Sequence, residues 1–377
     1  NQCAMRKTLL YITLAATLLA GCSSPEKTDS LQQYSNVSLD AGFDTVLYYQ
    51  EWNTDNSISE EHFNEAVDMF SHYNDLFDIY NNYDGINNLK TINDNAGKQA
   101  VTVDQDIIDL LKEAKQFCTY SEGEFDITIG SLLHVWHLYR EKGIALNEKG
   151  QKGSVPEYSV LEQASTHKGW SHVQIDEENS TVYIDDPDVS LDVGGIAKGF
   201  ATERIAQKLE QEEDIGIVAI NAGGNNRTIG SKPDGAPWRV RIQNPDGGDK
   251  LMIVSKEGNC SFVTSGDYER YYEADDGKRY HHIIDPSTLY PSTLYRSVSI
   301  ITTDSSAADC LSTSLFTLSI EEGKKVLQEY EKDTGNHADA IWILSSDNTE
   351  TASPVKQHMG YTIAYTDGLE DSIIWED

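Results

Sequence analysis

The amino-acid sequence predicts an α+β fold, with mixed or antiparallel sheets and helices that flank them. Several long segments repeat apolar residues three and four positions apart, the spacing of a buried helix face. Shorter segments alternate apolar and polar residues between Gly, Asn and Pro, which is typical of strands joined by turns. Hydrophobic residues make up 38% of the 377 residues, enough for a sizeable core. No internal repeat divides the sequence, so we expect one compact domain.

Three long helices are predicted in the first half of the chain. A strand is expected from FDTVLYYQ, and an amphipathic helix follows it over SEEHFNEAVDMFSHYNDLFDIY. The second and third helices are predicted over TVDQDIIDLLKEAKQFCTYS and ITIGSLLHVWHLYREKG. A hairpin with EENS as its turn is expected from HVQIDEENSTVYIDD.

Strands dominate the second half, together with two helical segments. A strand end, a glycine turn and a helix are predicted from SLDVGGIAKGFATERIAQKL. Further strands are expected from GIVAINAGGNNRTIGS, WRVRIQNP and LMIVSKEGNCSFVTSG. One helix is then predicted over DCLSTSLFTLSIEEGKKVLQEYEK, and DAIWILSSD and GYTIAYTD predict the closing strands.

The N-terminal segment is typical of a bacterial lipoprotein. A short basic stretch, MRK, precedes the apolar run TLLYITLAATLLAG, which is too short to span a membrane comfortably and ends in LAGC at Cys22. We therefore expect a signal peptide over residues 1–22, a lipidated Cys22, a polar tether over 23–38 and the folded domain over 39–377. Such a protein would be anchored at the extracytoplasmic face of the cytoplasmic membrane. An ordinary signal peptide with a chance cysteine is the alternative.

The charge balance limits the possible ligands. The chain has 62 acidic residues against 29 Lys and Arg, and its formal net charge is −33. Nucleic acid is therefore excluded as a partner, because phosphate backbones are bound by an excess of basic residues. An anionic small molecule needs a local exception, namely a lysine, a helix N-terminus or a bound cation.

The glycine-rich segment is the first candidate for such an exception. Gly194 and Gly195 allow close approach of a ligand to the backbone, and Lys198 lies in the first turn of the predicted helix. A cation is disfavoured there by the helix dipole unless an anion is nearby. The spacing of a Walker A loop is absent. A phosphate site and an ordinary strand–turn–helix both remain possible.

Two further segments carry candidate catalytic groups. His282 and Asp285 in HHIIDPST could form a general base with an orienting carboxylate, or His282 could be a hydrogen-bonded core residue. Asp309 and Thr313 in ADCLST are four residues apart and so share one helix face. A carboxylate and a hydroxyl there could hold a hard cation such as Mg²⁺, or Asp309 could simply cap the helix.

Two other groups of metal-type side chains have spacings that do not indicate a metal site. Cys118, Cys260 and Cys310 match no metal or redox pattern, and we expect them to be small buried residues. His134 and His137 are three residues apart without a third ligand nearby in the sequence. We expect packing and surface roles for both histidines.

Taken together, these segments resemble the ApbE family of FAD:protein FMN transferases. The segments LDVGGIAKG, NAGGN, IGSKPDG, TSGDYER, HHIIDPST and ADCLST occur in the family's order. The upstream segments FDTVLYY, LFDIYNNYDGINNLKTIN and FDITIGSLLHVW fit as well, so the resemblance covers roughly residues 39–365. It implies a single compact ApbE-like, T-fold-like domain.

The resemblance also implies a reaction. The hydroxyl of a threonine on a target protein attacks the FMN-side phosphorus of FAD, AMP leaves, and Mg²⁺ is required. The implied partner is an FMN-binding redox subunit on the same side of the membrane. A Mg²⁺-dependent FAD pyrophosphatase and a flavin-binding lipoprotein without turnover are the alternatives.

By position, the resemblance assigns roles to individual residues. It implies that Asp309, Thr313 and the backbone carbonyl of Ala197 bind the metal, and that His282 takes the threonine proton. It places Lys198 near the FAD phosphates or the adenosine. Ten residues are implied to line the flavin or adenine site: Phe43, Tyr80, Asp126, Ile127, Thr128, Asp192, Thr264, Gly266, Asp267 and Ile283.

Three positions depart from the family's usual pattern. Leu289 stands after DPST where Gly is usual, which puts the geometry of that turn in question. Phe43 stands where many members have Met, and Cys310 replaces a small residue. None of the three removes an implied ligand.

Overall fold

Strands and helices alternate along most of the computed structural model, which describes residues 30–352 and 354–376. The strands are β1 (Gln32–Gly42), β2 (Thr45–Asn53), β3 (Val101–Thr102), β4 (Val173–Asp176), β5 (Thr181–Ile184), β6 (Ile217–Ala222), β7 (Asn225–Ile229), β8 (Trp238–Ile242), β9 (Met252–Lys256), β10 (Ser261–Gly266), β11 (Tyr272–Glu273), β12 (Arg279–Tyr280), β13 (Tyr295–Thr302), β14 (Asp339–Leu344), β15 (Val355–His358), β16 (Tyr361–Tyr365) and β17 (Ile373–Trp375). The helices are α1 (Asn56–Phe77), α2 (Leu89–Asp94), α3 (Gln105–Tyr120), α4 (Gly130–Asn147), α5 (Tyr158–Ser165), α6 (Ala197–Leu209), α7 (Ser305–Thr317) and α8 (Ile320–Thr334), with short 3₁₀ turns at Trp170–His172 and Asp367–Leu369.

The central element is a nine-stranded sheet in the order β1-β2-β6-β7-β10-β13-β14-β16-β15. Every neighbouring pair in it is antiparallel. Smaller antiparallel sheets are formed by β17-β9-β8, by β3-β5-β4 and by β11-β12. The predicted α+β class is confirmed, and the sheets are antiparallel. The predicted EENS hairpin corresponds to β4 and β5.

Both faces of the large sheet are buried at β14, with helices on one face and a smaller sheet on the other. Its Ala340, Trp342 and Leu344 belong to the core beneath the helices α1, α6 and α7. The alternate residues Ile341 and Ile343 pack against the sheet β17-β9-β8 on the other face. Because side chains alternate along a strand, a strand buried on both faces needs a continuous apolar run, and DAIWIL provides it.

The predicted tether extends too far into the domain. Its residues 32–38 lie in β1, which pairs with β2 from Gln32↔Asn53 onward. The segment was expected to be irregular because it is polar, but β1 is an edge strand whose residues are mostly exposed or half-buried, so it needs few apolar side chains. The predicted signal peptide and Cys22 lie outside the described residues.

One predicted helix is two helices. α7 ends at Thr317, and Ser319 caps α8 in a capping box with Glu322. In the same region Cys310 is fully buried, and Cys118, Cys260 and Cys310 are free thiols. None of the helices described between residues 30 and 376 has both the length and the apolar composition that crossing a lipid bilayer requires.

Candidate functional site

Two glycines bring α6 against α7. A Cβ added to Gly199 would lie 2.5 Å from the Asp309 Cβ, and one added to Gly195 would lie 3.2 Å from the Thr313 Oγ1. The Gly199 N–H donates to Asp309 Oδ2 over 2.9 Å. Asp309 and Thr313 therefore both face the segment 195–199, which contains Ala197. The structure brings together the three residues implied as metal ligands.

The Asp309 carboxylate is buried and poorly neutralised. It is 7% exposed and forms no salt bridge with any residue that the structure describes. Burial raises its pKa to about 6, against the opposing effects of the Lys198 charge, the Gly199 N–H and the Asn225 amide. The alternative that Asp309 caps α7 is wrong, because Asp304 is the N-cap and accepts from the Ala307 N–H.

This set of oxygen atoms fits a hard divalent cation. Asp309 supplies a carboxylate, Thr313 a hydroxyl and Ala197 a backbone carbonyl, and Mg²⁺ prefers such ligands together with phosphate oxygens and water. A buried carboxylate that lacks a protein counter-charge is stabilised when a cation neutralises it. The chemistry of Asp309 and its neighbours is therefore compatible with the expected metal.

Lys198 extends from the start of α6 toward two hairpin turns. Its Nζ donates to the Gly223 carbonyl over 3.3 Å. Gly223 lies so close to β2 that an added Cβ would be 2.1 Å from the Thr45 Oγ1. Phe43 precedes Thr45 in the β1–β2 turn, where its N–H donates to Asn74 Oδ1 and its ring centroid is 4.9 Å from that of Phe70. Lys198 and the turn that carries Phe43 thus lie on the same side of the site.

Two adjacent histidines differ in their hydrogen bonds. His281 Nε2 contacts the Ser292 carbonyl at 2.7 Å, and its Nδ1 accepts from the Ile283 N–H, which fixes a neutral tautomer. Burial lowers the pKa of His281 to about 4. His282 Nδ1 is buried and has no partner among the described residues. Burial, and the positive charges around it, hold the pKa of His282 well below its usual range.

The hypothesis that Asp285 orients His282 is wrong. Asp285 Oδ1 accepts from the Ser287 N–H, from the Ser287 hydroxyl and from the Thr288 N–H, so it closes the Pro turn. The charges that act on His282 come instead from Arg270, Arg140 and Lys198. Burial and these cations disfavour the imidazolium form, so His282 is neutral near pH 7.

The segment 126–130 lies beside the loop that precedes α6. The Asp192 N–H donates to the Ile127 carbonyl over 2.8 Å, and Asp126 Oδ1 accepts from the N–H and the hydroxyl of Thr128. Burial raises the pKa of Asp192, and nearby Arg140 opposes this shift. The structure therefore places these predicted residues together at the N-terminal end of α6.

Tyr80 and the β10 residues take different positions. Tyr80 is 53% exposed, and its ring centroid lies 5.0 Å from that of His137. Thr264 bonds Ser299 on the neighbouring strand, and by strand alternation its side chain lies on the sheet face opposite α7. Asp267 Oδ2 accepts from Arg296 Nε, and the ring of Tyr268 lies over Gly266. The Thr264 side chain is therefore not part of the cluster around Asp309.

Several charged residues of the site were not predicted. Glu269 adds to the rise in the pKa of Asp309, whereas burial raises the pKa of Glu269 itself against the opposing charges of Lys198 and Arg270. Arg140 and Arg270 both oppose the rise that burial causes in the pKa of Asp192. Glu269 and Arg270 lie within TSGDYER, so the motif was a usable signal for them. Arg140 follows the motif FDITIGSLLHVW, and only its position on α4 identifies it.

Leu289, which stands after DPST where the family usually has Gly, adopts a left-handed backbone conformation that is typical of glycine. Leu289 has φ +69°, and its side chain is 7% exposed in a small core with Trp136. The Leu289 carbonyl accepts from Trp136 Nε1 over 2.8 Å. The turn therefore keeps its left-handed geometry, and α4 is attached to the loop that carries His282.

A second group of metal-type side chains lies elsewhere. His167, Asp186 and Asp188 have ligand-type atoms within 4.8 Å of one another. The two ring nitrogens of His167 face different carboxylates, at 3.1 Å to Asp186 and 3.8 Å to Asp188. Ion pairing accounts for this arrangement, which is separate from the site at α6 and α7.

Known proteins are similar to this chain over much of its length. The model of the ApbE family matches residues 43–336. An FAD:protein FMN transferase of Klebsiella pneumoniae is 33% identical over 266 residues, which cover 70% of this chain and 77% of the relative. The FAD:protein FMN transferase of Treponema pallidum is 34% identical over 257 residues, 64% of this chain and 68% of the relative.

Solved structures share the fold. The crystal structure of an ApbE protein from Thermotoga maritima is 31% identical, with a TM-score of 0.69 over 83% of this chain and 94% of the other. The flavin transferase ApbE from Vibrio cholerae is 23% identical, with a TM-score of 0.70 over 91% of this chain and 99% of the other. At that lower identity the likeness is one of fold.

Proposed function

This chain belongs to the ApbE family, and from that premise we propose that it transfers the FMN part of FAD to a threonine hydroxyl of an acceptor protein, with release of AMP. The observation that carries the proposal is the presence of two groups around Lys198: Asp309, a buried carboxylate that forms no salt bridge with a described residue, and His282, a neutral imidazole whose buried Nδ1 has no partner among the described residues. A metal-assisted phosphoryl transfer needs both a cation site and a proton acceptor.

The proposed reaction exchanges one oxygen–phosphorus bond for another. The threonine Oγ bonds to the FMN-side phosphorus, and the bond from that phosphorus to the bridging oxygen breaks, so that AMP leaves with this oxygen. The threonine proton moves to His282 Nδ1 and then to AMP or solvent. Because His282 is kept neutral by burial and by nearby cations, it is in the form that accepts a proton near pH 7.

The other site residues bind and orient the substrate in this proposal. Lys198 and Arg270 attract the phosphates within a strongly acidic chain. Asp309, Thr313 and the Ala197 carbonyl would hold Mg²⁺, which when bound neutralises charge on the phosphate oxygens. Tyr80 and Phe43 would supply aromatic faces for the flavin or adenine ring.

The acceptor and the location complete the proposal. We place the protein at the extracytoplasmic face of the cytoplasmic membrane, attached through lipidated Cys22. Its acceptor would be an FMN-binding redox subunit exposed on that face. What supports this is the lipobox-like segment, which lies outside the described residues.

A second candidate activity is hydrolysis of FAD to FMN and AMP. The free His282 nitrogen could take a proton from water as well as from threonine, and the site is open at the half-exposed Tyr80. Binding of flavin without turnover is less favoured, because simple binding does not require a carboxylate as poorly neutralised as Asp309.

One experiment separates these activities. The purified chain is incubated with FAD, Mg²⁺ and a candidate acceptor, and the denatured products are examined by in-gel flavin fluorescence and by chromatography of free nucleotides. Transfer gives a fluorescent acceptor band and AMP without free FMN, and chelation of Mg²⁺ abolishes it. Free FMN and AMP in equal amounts without an acceptor would indicate a pyrophosphatase. Labelling by Asp309→Ala or His282→Ala at the wild-type rate would contradict the assigned roles.

A further inference from the structure

Two charged or polar side chains on α4 face the site but belong to none of the segments that carry the family resemblance. They are His137 and Arg140, which follow the motif ending at Trp136. Arg140 Nη2 lies 3.2 Å from His137 Nδ1, and the His137 ring is tilted by 31° against the ring of Tyr80. The three side chains thus form a continuous group beside Asp192.

The position of α4 is closely constrained, so this group has a defined orientation. An added Cβ on Gly143 would lie 2.3 Å from the Tyr272 ring, which shows how tightly the end of the helix packs. Trp136 stacks on Tyr280 at 5.6 Å and donates to the Leu289 carbonyl. α4 is therefore fixed to the two segments that flank His282, and His137 and Arg140 are carried by a rigid element.

The Arg140 guanidinium has no carboxylate within salt-bridge distance in the described structure, although the Glu141 and Asp192 carboxyl groups lie in its surroundings. Arg227 and Arg296 are paired with carboxylates at 3.0 and 2.7 Å, as is common for partly buried arginines. Arg140 forms no salt bridge with a described residue, and burial together with the nearby Arg270 lowers its pKa. Arg140 is half-buried without a salt bridge to a described residue, and the exposed Arg270 lies near it, with Glu141 and Asp192 as the surrounding carboxyl groups. A pair of guanidinium groups that lacks close carboxylate partners is suited to bind phosphate or carboxylate anions.

We propose that Arg140 binds the pyrophosphate of FAD and that His137 is the positioning residue that holds its guanidinium. This inference rests on the proposed function. The contact requires His137 Nδ1 to accept a hydrogen bond, so the ring carries its proton on Nε2. The same ring packs against Tyr80, and it therefore couples the phosphate-binding group to an aromatic residue at the site entrance.

Flavin affinity provides the test, because riboflavin shares the ring of FAD but lacks the phosphates. Dissociation constants for FAD and for riboflavin are measured by flavin fluorescence on the wild-type chain and on Arg140→Ala. We expect Arg140→Ala to weaken FAD binding by about tenfold or more, since charged hydrogen bonds are lost. Riboflavin affinity should stay within about twofold. Arg239→Ala, which removes an exposed charge on β8, is the control and should alter neither constant.

The role of His137 is tested by rescue. His137→Phe keeps a ring beside Tyr80 but removes the acceptor, and it should weaken FAD binding by about three- to tenfold. His137→Asn keeps an acceptor near the Nδ1 position and should restore most of that affinity. Equal losses in both variants, or a parallel loss of riboflavin binding, would show a structural role and overturn the inference.

The outcomes distinguish this inference from the proposed function. If Arg140→Ala binds FAD as tightly as the wild-type chain does, the proposed contact between Arg140 and the pyrophosphate is refuted, and the proposed transfer reaction is not affected. A wild-type chain that binds FAD but labels no acceptor refutes the transfer reaction and leaves the Arg140 contact standing.

Discussion

Two buried carboxylates on the facing helices α6 and α7 are treated differently by the fold. Glu203 accepts two hydrogen bonds from Arg227, at 3.0 and 3.1 Å, and a third from the Ser305 N–H. Asp309 is equally buried but receives one backbone N–H and forms no salt bridge with a described residue. Arg227 neutralises the charge of Glu203 within the protein, whereas the charge of Asp309 would be neutralised by a bound cation. Incomplete compensation therefore distinguishes Asp309, the carboxylate that we propose to bind the metal, from Glu203, which is part of a buried ion pair.

The two neighbouring histidines repeat this contrast. His281 uses both ring nitrogens in backbone hydrogen bonds and links the two arms of the loop that carries the site. His282 leaves Nδ1 buried and unpartnered within the described structure. A buried unpaired nitrogen costs free energy, so its retention favours a role that the paired histidine cannot have.

The largest effect is expected for Asp309→Asn. This change keeps the shape of the side chain and the hydrogen bond from Gly199 but removes the negative charge. We expect FMN transfer to fall by about a thousandfold, because a metal ligand is worth several kcal/mol in such reactions. The free energy of unfolding should not fall, since a poorly neutralised buried charge is removed. Urea unfolding and the transfer assay on the same samples check both statements, and a variant that is inactive only because it is unfolded would break the comparison.

Glu203→Gln should show the opposite pattern. The change leaves the Arg227 guanidinium without its principal counter-charge, and Glu210 at 3.3 Å is then its remaining salt-bridge partner among the described residues. We expect the free energy of unfolding to fall by about 3 kcal/mol, as when one partner of a buried pair is removed. Transfer activity per folded molecule should stay within about threefold of wild type. Wild-type stability in this variant would mean that the two carboxylates do not differ as the geometry indicates.

The sequence could identify Asp309 but not its contrast with Glu203. The i,i+4 spacing of Asp309 and Thr313 predicts a shared helix face, and the glycines before α6 predict a close approach. The partner of Glu203 is Arg227, which lies 24 residues away on β7, and only the tertiary fold shows that they pair. Conversely, Asp285 was predicted to orient His282 because it is near in sequence, and short-range turn bonds use it instead.

For the fold too, the sequence predicts the local elements but not the long-range pairing. Helical and strand periodicity located most elements and the α+β class. The sheet order was not accessible, because β2 pairs with β6 across more than 160 residues and no local pattern encodes that choice. β1 was missed for a different reason, since an exposed edge strand does not need apolar alternation.

The histidine contrast leads to a smaller effect, on the pH dependence of stability. The folded pKa of His281 is lowered to about 4, below its ordinary value near 6.5. Between pH 6.5 and pH 4 the unfolded chain therefore binds a proton at His281 that the folded chain does not bind. The contribution of neutral His281 to the free energy of unfolding is complete above pH 6.5 and is lost as the pH falls toward 4. At pH 5 the loss is about 2 kcal/mol at most.

Urea unfolding of the wild type and of His281→Asn at pH 7.5 and pH 5.0 measures this effect. The variant is expected to be less stable at both pH values, because two backbone hydrogen bonds are weakened. Its stability should nevertheless fall less between them than that of the wild type. An identical fall in both proteins would assign the acid sensitivity to other groups.

The smallest effect concerns two neighbouring hairpin turns at one end of the sheet. The β6–β7 turn uses Gly223 and Gly224, with φ of +57° and +92°, whereas the β1–β2 turn uses Phe43 and Asp44, with φ of +53° and +50°. Two-residue turns of this kind favour glycine because other side chains are strained there. The strain is retained at the turn that carries a candidate flavin-binding residue, as is common at functional sites.

Asp44→Gly should therefore stabilise the chain by roughly 0.5–1 kcal/mol, because the exposed Asp44 loses strain without losing buried contacts. Phe43 keeps its ring against Phe70, so FAD affinity should be unchanged. Phe43→Gly is the matched change: it relieves the same kind of strain but removes the ring, and it should lower both stability and FAD affinity. Thermal unfolding and flavin fluorescence measure the two quantities, and a loss of FAD affinity in Asp44→Gly would show that the turn conformation itself, and not only the Phe43 ring, is needed to bind the flavin.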